Sequence, residues 1–314
     1  DDLSKMVETS DEWIRTRTGI RERRISSGIS TSDLAYEAGL RAIEDAGLKP
    51  EDIDLIICAT ITPDYFMPSC ACMVQQRLGA KNAAAFDLAA ACTGMIYGIV
   101  TAEQFIKSGM YRNVLVIGTE VLSKVLDWED RSTCVLFGDG AGAVVMSQSD
   151  KGGVILASNL KADGSKYNLL TCPAVPLKNP YIGGGDKNSL IGTDNDTRSV
   201  IKMAGQEVFK FAVRTIIDNI EAVLRKTGLN TDDIRYIIPH QANQRIFEQA
   251  SKLSGIAIER FYMNLDRYGN TSAASIGIAL DELVKDTGIK SGDVLVLVGF
   301  GGGMTGGAVI LKWD

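Results

Sequence analysis

The chain has few of the features that would assign it quickly. One histidine in 314 residues and six scattered cysteines, at 58, 70, 72, 92, 134 and 172, give neither a metal-ligand set with paired C-x-x-C spacing nor the density of a secreted disulfide scaffold. No apolar run approaches the ~20 residues that cross a bilayer, and Asp1-Asp2-Leu3-Ser4-Lys5 does not read as a signal peptide. Together these predict a cytoplasmic protein without membrane contact. A net charge of −6 argues against a general nucleic-acid binder, so an acidic partner would have to meet a local basic patch. No Walker or dinucleotide fingerprint stands in the required context, because Gly138-Asp139-Gly140-Ala141-Gly142 precedes a strand. Glycines there suit close approach of backbone to backbone or substrate.

What is present is the composition of a soluble α/β protein, 45% hydrophobic and 23% charged with 32 glycines, in a chain long enough for two domains or two fused halves. Three stretches recur in order. Leu48 to Thr60, a turn and a buried strand, is matched by Leu229 to His240; Arg112 to Gly118 is matched by Gly292 to Val298; Phe137 to Val145 is matched by Phe300 to Ile310. This is a duplicated domain, split near residue 150 into halves 1–150 and 151–314. Each half should be a mixed sheet with helices on both faces. The second half opens with a strand at Val154 to Ser158, whose counterpart would precede residue 1, so a first N-terminal strand is expected to be missing. Leu177 to Arg198 has no counterpart and reads as a long surface loop. Cys70 and Cys72 alternate like one face of a buried segment.

Chemistry is expected where strands end, because α/β proteins keep their sites at the carboxyl ends of parallel strands. Cys92 follows an alanine run in Ala89-Ala90-Ala91-Cys92-Thr93-Gly94 and opens a helix. The positive end of a helix favours thiolate over thiol, and thiolate is the nucleophile, although free cysteine often serves only as a small buried hydrophobe. His240 stands at a strand end in Pro239-His240-Gln241-Ala242-Asn243; a lone histidine is more often a satisfied structural group. Asn270 in Gly269-Asn270-Thr271-Ser272-Ala273-Ala274-Ser275 precedes a helix, where an asparagine is often just a cap. Near the front, five arginines crowd Arg15 to Arg24 beside Trp13. They form either a solvated face or an anion site with a ring to stack on a purine.

These stretches, with Asp11-Glu12-Trp13-Ile14, Arg17-Thr18-Gly19-Ile20-Arg21, Phe137 to Gly142 and Phe300-Gly301-Gly302-Gly303, resemble the signatures of β-ketoacyl-acyl carrier protein synthase III over nearly the whole chain. The resemblance implies the thiolase fold, two similar α/β halves in α-β-α-β-α layers, and a homodimer. It implies a Claisen condensation between an acyl-coenzyme A primer and malonyl-acyl carrier protein, without metal or other cofactor. Cys92 would carry the acyl group, His240 and Asn270 would stabilise the enolate, and the N–H groups of Cys92 and Gly302 would form the oxyanion hole. Trp13 and Arg131 would sandwich the adenine of coenzyme A, Arg17 would help hold its phosphates and Asn243 would touch its pantetheine arm. Arg245, Lys210 and Lys252 would meet the acidic carrier protein. Phe300 would wall the malonyl carboxylate, and Met67, often phenylalanine in the family, would close the acyl pocket from across the dimer. Met304 and Gly306 also replace expected aromatics, and with Met67 they suggest longer or branched primers. Other thiolase-fold synthases, a Cys-His-Asn hydrolase and a non-catalytic scaffold are the competing readings.

Overall fold

The structure, a computed structural model, describes residues 2–149, 154–175 and 199–313. The loop expected from Leu177 to Arg198 lies outside the described residues. The strands are β1 (Leu55–Ala59), β2 (Ala84–Leu88), β3 (Asn113–Glu120), β4 (Gly140–Ser147), β5 (Ile155–Ala162), β6 (Leu170–Thr171), β7 (Lys202–Met203), β8 (Ile234–Pro239), β9 (Val294–Gly301) and β10 (Thr305–Lys312). The helices are α1 (Asp11–Thr18), α2 (Thr31–Asp45), α3 (Cys70–Leu78), α4 (Gly94–Lys107), α5 (Arg131–Cys134), α6 (Gly205–Thr227), α7 (Gln244–Ser254), α8 (Leu265–Tyr268) and α9 (Ala274–Thr287).

Two mixed sheets carry the duplication. The first has the order β2-β1-β3-β4 and the second β5-β10-β9-β8. β1 runs parallel to β3 as β8 does to β9, and β4 returns antiparallel to β3 as β10 does to β9. A single parallel bridge, Ile237 to Phe261, stands in the second sheet where β2 stands in the first. The outer edge of β4, where a counterpart of β5 would pair, carries no strand among the described residues.

Strands buried on both faces read as continuous apolar runs, and alternation then divides their side chains between two cores. Leu55, Ile57, Val114 and Val116 point into the layer between the sheets, whereas Ile56, Cys58, Leu115 and Ile117 point outwards under α2 and α3. From the second sheet, Ile238, Leu295, Leu297 and Val309 enter the same middle layer, which α4 and α9 fill with Met95, Ile96, Ile99, Ile276 and Leu283. α6 and α7 close the far side. The result is the five-layer α-β-α-β-α arrangement of the thiolase fold. α9 seats tightly on β4 because two glycines face each other: a Cβ at Gly142 would lie 2.6 Å from the Ile278 nitrogen, and one at Gly277 would lie 2.9 Å from the Gly142 carbonyl carbon.

The alternation of Cys70 and Cys72 is not that of a strand. Both lie in α3, where residues two apart point to opposite sides, and Cys70 is buried while Cys72 is exposed.

Candidate active site

Cys92 sits in a tight turn, Ala91–Thr93, between the end of β2 and the start of α4. Ala91 is held at φ 46°, a left-handed conformation that costs a residue with a Cβ about 1 kcal/mol or more. Gly301, at the end of β9, lies against this turn so closely that a Cβ there would be 2.9 Å from the Cys92 nitrogen. The cysteine is 6% exposed and lines a cavity of about 850 Å³ together with Met67, Phe137, Cys172, Ser272 and Gly302.

The thiol is not activated in this state, contrary to the expectation from a helix N-terminus. Its pKa is pushed up to about 12, first by burial and also by the nearby Glu120 carboxylate, while Ser272 opposes the shift. Removing a charge from water outweighs a partial dipole at the end of one short turn.

Glu120 is the group that the sequence reading missed. It ends β3, is 0% exposed, and lies where Gly301 lies at the end of β9 in the second half of the repeat. Thr62 donates to it at 2.5 Å, and Thr60, the Ile61 N–H and the Ser272 hydroxyl donate at 3.2 Å. Burial nonetheless pushes its pKa up to about 7, against the pull of those four donors. The available signal was an acid closing a run of apolar strand residues at the carboxyl end.

The loop from Asn270 to Ser275 joins the remaining groups. Asn270 does not cap α9, whose first turn has no side-chain cap. Its Oδ1 accepts from the Ser272 N–H at 2.9 Å, which turns Nδ2 outward as the remaining donor. Ser272 is itself held at φ 49°; its hydroxyl faces both Glu120 and the Cys92 sulfur. The Ser272 carbonyl accepts from the Ser275 hydroxyl at 2.9 Å, and that hydroxyl lies 2.7 Å from His240 Nδ1. His240 follows the end of β8, is buried, and packs edge-on against Phe300 with ring centroids 5.0 Å apart. Burial pushes its pKa down to about 3, so the imidazole is neutral. His240 and Asn270 thus share one hydrogen-bonded loop, whose Ser272 lines the same cavity as Cys92.

The outlying residues fall into three places. Trp13 on α1 is flanked by both arginines, Arg17 at 5.1 Å and Arg131 at 4.7 Å from the ring, and Arg131 also donates to the Glu8 carbonyl at 2.7 Å. Cation and ring are therefore stacked directly on each other. Asn243 caps α7 by accepting from the Arg245 N–H at 3.0 Å, and Arg245 reaches the Thr16 carbonyl of α1 at 2.9 Å. Lys252 lies in the last turn of α7, and Lys210, paired with Glu207, lies on the neighbouring α6.

The expected acyl-pocket residues divide. Met67 is 85% exposed and lines the Cys92 cavity of its own chain. Phe300 lies under His240 and is not among the residues lining that cavity. Met304 and Gly306 are also absent from it: they face α6, where a Cβ at Gly306 would meet the Thr215 methyl at 2.4 Å. Their departures from aromatics therefore bear on helix packing. Among the described residues no cluster of histidine, cysteine and acidic side chains could hold a metal ion, and no helix is long and apolar enough to cross a membrane.

Comparison with known proteins gives a consistent result. Family models described as 3-oxoacyl-[acyl-carrier-protein (ACP)] synthase III and its C-terminal part match residues 86–164 and 224–313. The chain is 54% identical to the beta-ketoacyl-[acyl-carrier-protein] synthase III of Clostridium acetobutylicum, covering 100% of this chain and 93% of the relative. It is 53% identical to that of Caldanaerobacter subterraneus subsp. tengcongensis, covering 100% and 92%. The crystal structure of 3-oxoacyl-[acyl-carrier-protein] synthase III from Aquifex aeolicus VF5 superimposes with a TM-score of 0.90 at 47% identity, covering 99% of this chain and 94% of that one. A buried cysteine after β2, a buried histidine after β8, an asparagine on the loop that holds the histidine, and this likeness along the entire described fold lead to one assignment: the chain belongs to the 3-oxoacyl-[acyl-carrier-protein] synthase III family.

Proposed function

We propose that the protein joins an acyl-coenzyme A primer to malonyl-acyl carrier protein by decarboxylative Claisen condensation, releasing coenzyme A and carbon dioxide and starting fatty-acid synthesis. The observation that carries this reading is the loop 270–275, which holds Asn270 and His240 at one buried site and whose Ser272 lines, with Cys92, a cavity of about 850 Å³. Cys92 attacks the primer thioester, with the Cys92 and Gly302 N–H groups receiving the oxyanion. His240 and Asn270 then donate to the malonyl thioester carbonyl as carbon dioxide leaves, and the resulting carbanion attacks the acyl-cysteine. A neutral imidazole can donate from Nε2 only if Nδ1 is an acceptor, which requires the Ser275 hydroxyl proton to turn towards Nδ1. Phe300 supplies an apolar flank that favours carbon dioxide over a carboxylate.

Trp13, Arg17, Arg131 and Asn243 form the coenzyme A site in this reading. Arg131 swings off Trp13 to admit the adenine. Arg245, Lys210 and Lys252 receive the carrier protein, and the enzyme works as a homodimer of two duplicated halves, 1–150 and 151–314, without a metal or prosthetic group. The flexible Met67 thioether admits longer or branched primers; better turnover with acetyl-coenzyme A than with isobutyryl-coenzyme A would count against that choice. A Cys-His-Asn hydrolase would use its asparagine to orient the imidazole. Here Ser275 holds His240, and Asn270 turns its oxygen to Ser272, which disfavours that alternative.

The test is intact-protein mass spectrometry after exposure to a mixture of acyl-coenzyme A thioesters, with carbon dioxide release from malonyl-acyl carrier protein measured in parallel. Acylation at Cys92, and release that depends on His240 and Asn270, are expected. Absence of both refutes the reading.

A further inference from the structure

The buried thiol raises a question that the condensation scheme leaves open: where the Cys92 proton goes. In the tautomer that the condensation uses, with the proton on Nε2 and Nδ1 engaged by Ser275, His240 faces the site as a donor and does not serve as the acceptor. Bulk water is also a poor acceptor for a thiol that is 6% exposed. One hydroxyl stands between the sulfur and a carboxylate: Ser272 lines the cavity beside Cys92 and lies 3.2 Å from Glu120 Oε1. Thr60, Ile61 and Thr62 fix that carboxylate from the opposite side, so its position does not depend on the proton it holds.

We propose that Glu120 is a positioning residue for acylation, which takes the Cys92 proton through Ser272 and returns it to the departing coenzyme A sulfur. The step balances without any outside reagent. The Cys92 S–H bond breaks and its proton passes to Ser272 Oγ as the Ser272 proton moves to Glu120 Oε1. The sulfur electron pair forms the new bond to the primer carbonyl carbon. When the tetrahedral adduct collapses, the bond to the coenzyme A sulfur breaks with its electron pair, and the relay runs backwards to protonate that sulfur. Thiol and thioester go in; thiol and thioester come out.

The groups facing Glu120 set its readiness for this role. From β1 and the loop after it come the Cys58 thiol and the Thr60 and Thr62 hydroxyls; from the turn before α4 comes Cys92; from beyond β6 comes Cys172. The nearby Lys124 ammonium is engaged by Asp64, Thr31 and the Thr62 carbonyl. Surrounded by neutral thiols and hydroxyls, the carboxylate titrates near neutrality, where an acceptor can both take up and release a proton.

This inference rests on the reading of Cys92 as the acyl acceptor, and the experiment separates the two. The rate of Cys92 acylation is followed by rapid-quench mass spectrometry from pH 6 to pH 9 for wild type, Glu120→Gln and Ser272→Gly, the last chosen because glycine accepts the left-handed backbone at that position. Decarboxylation of malonyl-acyl carrier protein is measured for the same proteins. Wild-type acylation should rise with pH to a plateau as Glu120 ionises. Both variants should acylate at least about 100-fold more slowly at pH 7.5 and climb with pH without a plateau, as for attack assisted only by hydroxide. Decarboxylation, which moves no cysteine proton, should persist in Glu120→Gln. Wild-type rates and profile in both variants would overturn the proposal, as would equal losses in both half-reactions with an unchanged pH profile. A wild type that never acylates overturns the underlying reading itself.

Discussion

Glu120→Gln should make the protein more stable above neutral pH while making it a poorer enzyme. The carboxylate is completely buried and its pKa is raised from an ordinary 4.5 to about 7. Because the folded state holds this proton more tightly than the unfolded chain, the sign is fixed. Below pH 4.5 both states are protonated and the group carries no penalty. As pH rises from there the unfolded chain ionises first, and folding stability falls until the folded carboxyl has also ionised, somewhat above pH 7. The gap between the two pKa values corresponds to about 3 kcal/mol lost by the wild type between pH 4.5 and pH 8.5.

Glutamine keeps one acceptor and never bears the charge, and the threonine and serine hydroxyls can rotate to accept from its amide. At about 2.1 cal/mol/K of unfolding entropy per residue, a 314-residue chain converts 3 kcal/mol to a rise of about 5 °C in Tm. Thermal melts of both proteins at half-unit pH steps read the difference directly, since the other titrating groups cancel between them. The curves should run together near pH 5 and separate by about 5 °C at pH 8.5. A constant gap, or a variant that loses stability as pH rises, refutes the burial argument.

Four further outcomes follow from the geometry. His240, with its pKa near 3, should support malonyl decarboxylation in a Cys92→Ala protein at a rate that is flat from pH 5 to pH 9; a rise on acidification through pH 6.5 would show that imidazolium is the working form. Ser275→Ala removes the hydroxyl 2.7 Å from Nδ1 and should slow that decarboxylation about tenfold through loss of one oriented hydrogen bond, while the Ser272 carbonyl and Gln241 N–H left unpaired cost about 1–3 kcal/mol of stability. Trp13→Ala removes the ring stacked between two arginines and should raise KM for acyl-coenzyme A about tenfold at constant kcat; an unchanged KM would place the nucleotide elsewhere. Gly142→Ala drives a methyl to within 2.6 Å of the α9 backbone and should cost about 3 kcal/mol. By contrast, Gly205→Ala at the start of α6, with its nearest neighbour at 3.8 Å, should gain about 0.5 kcal/mol, and paired melts compare the two.

The architecture was readable in sequence because it is a repeat, and repeats carry their own internal check. Leu55 to Ala59 and Ile234 to Pro239 both appear as apolar runs after an acidic turn, and both fold as parallel strands, β1 inside its sheet and β8 at the end of its own, whose carboxyl ends lead to Thr60 and His240. Physical context that pattern cannot contain accounts for the failures. A helix-start cysteine looks activated until its burial is known, and desolvation then reverses the direction of the shift. The direct stacking of Trp13 and Arg131, 118 positions apart in the numbering, is likewise outside any pattern: an aromatic face and a guanidinium attract each other when nothing separates them. Glu120 escaped notice because one acid after six apolar or small residues looks like the end of a strand. Pairing the two halves by strand register would have exposed it, since Glu120, opposite Gly140 at the end of β3, answers to Gly301, opposite Thr305 at the end of β9. At one strand end stands a glycine packed against the Cys92 backbone, and at the other a buried carboxylate hydrogen-bonded by Ser272. The two strand ends thus serve the same nucleophile by different means: Gly301, without a side chain, lets backbone close on the Cys92 turn, while Glu120 supplies a titrating group on the side where Cys92 must lose a proton.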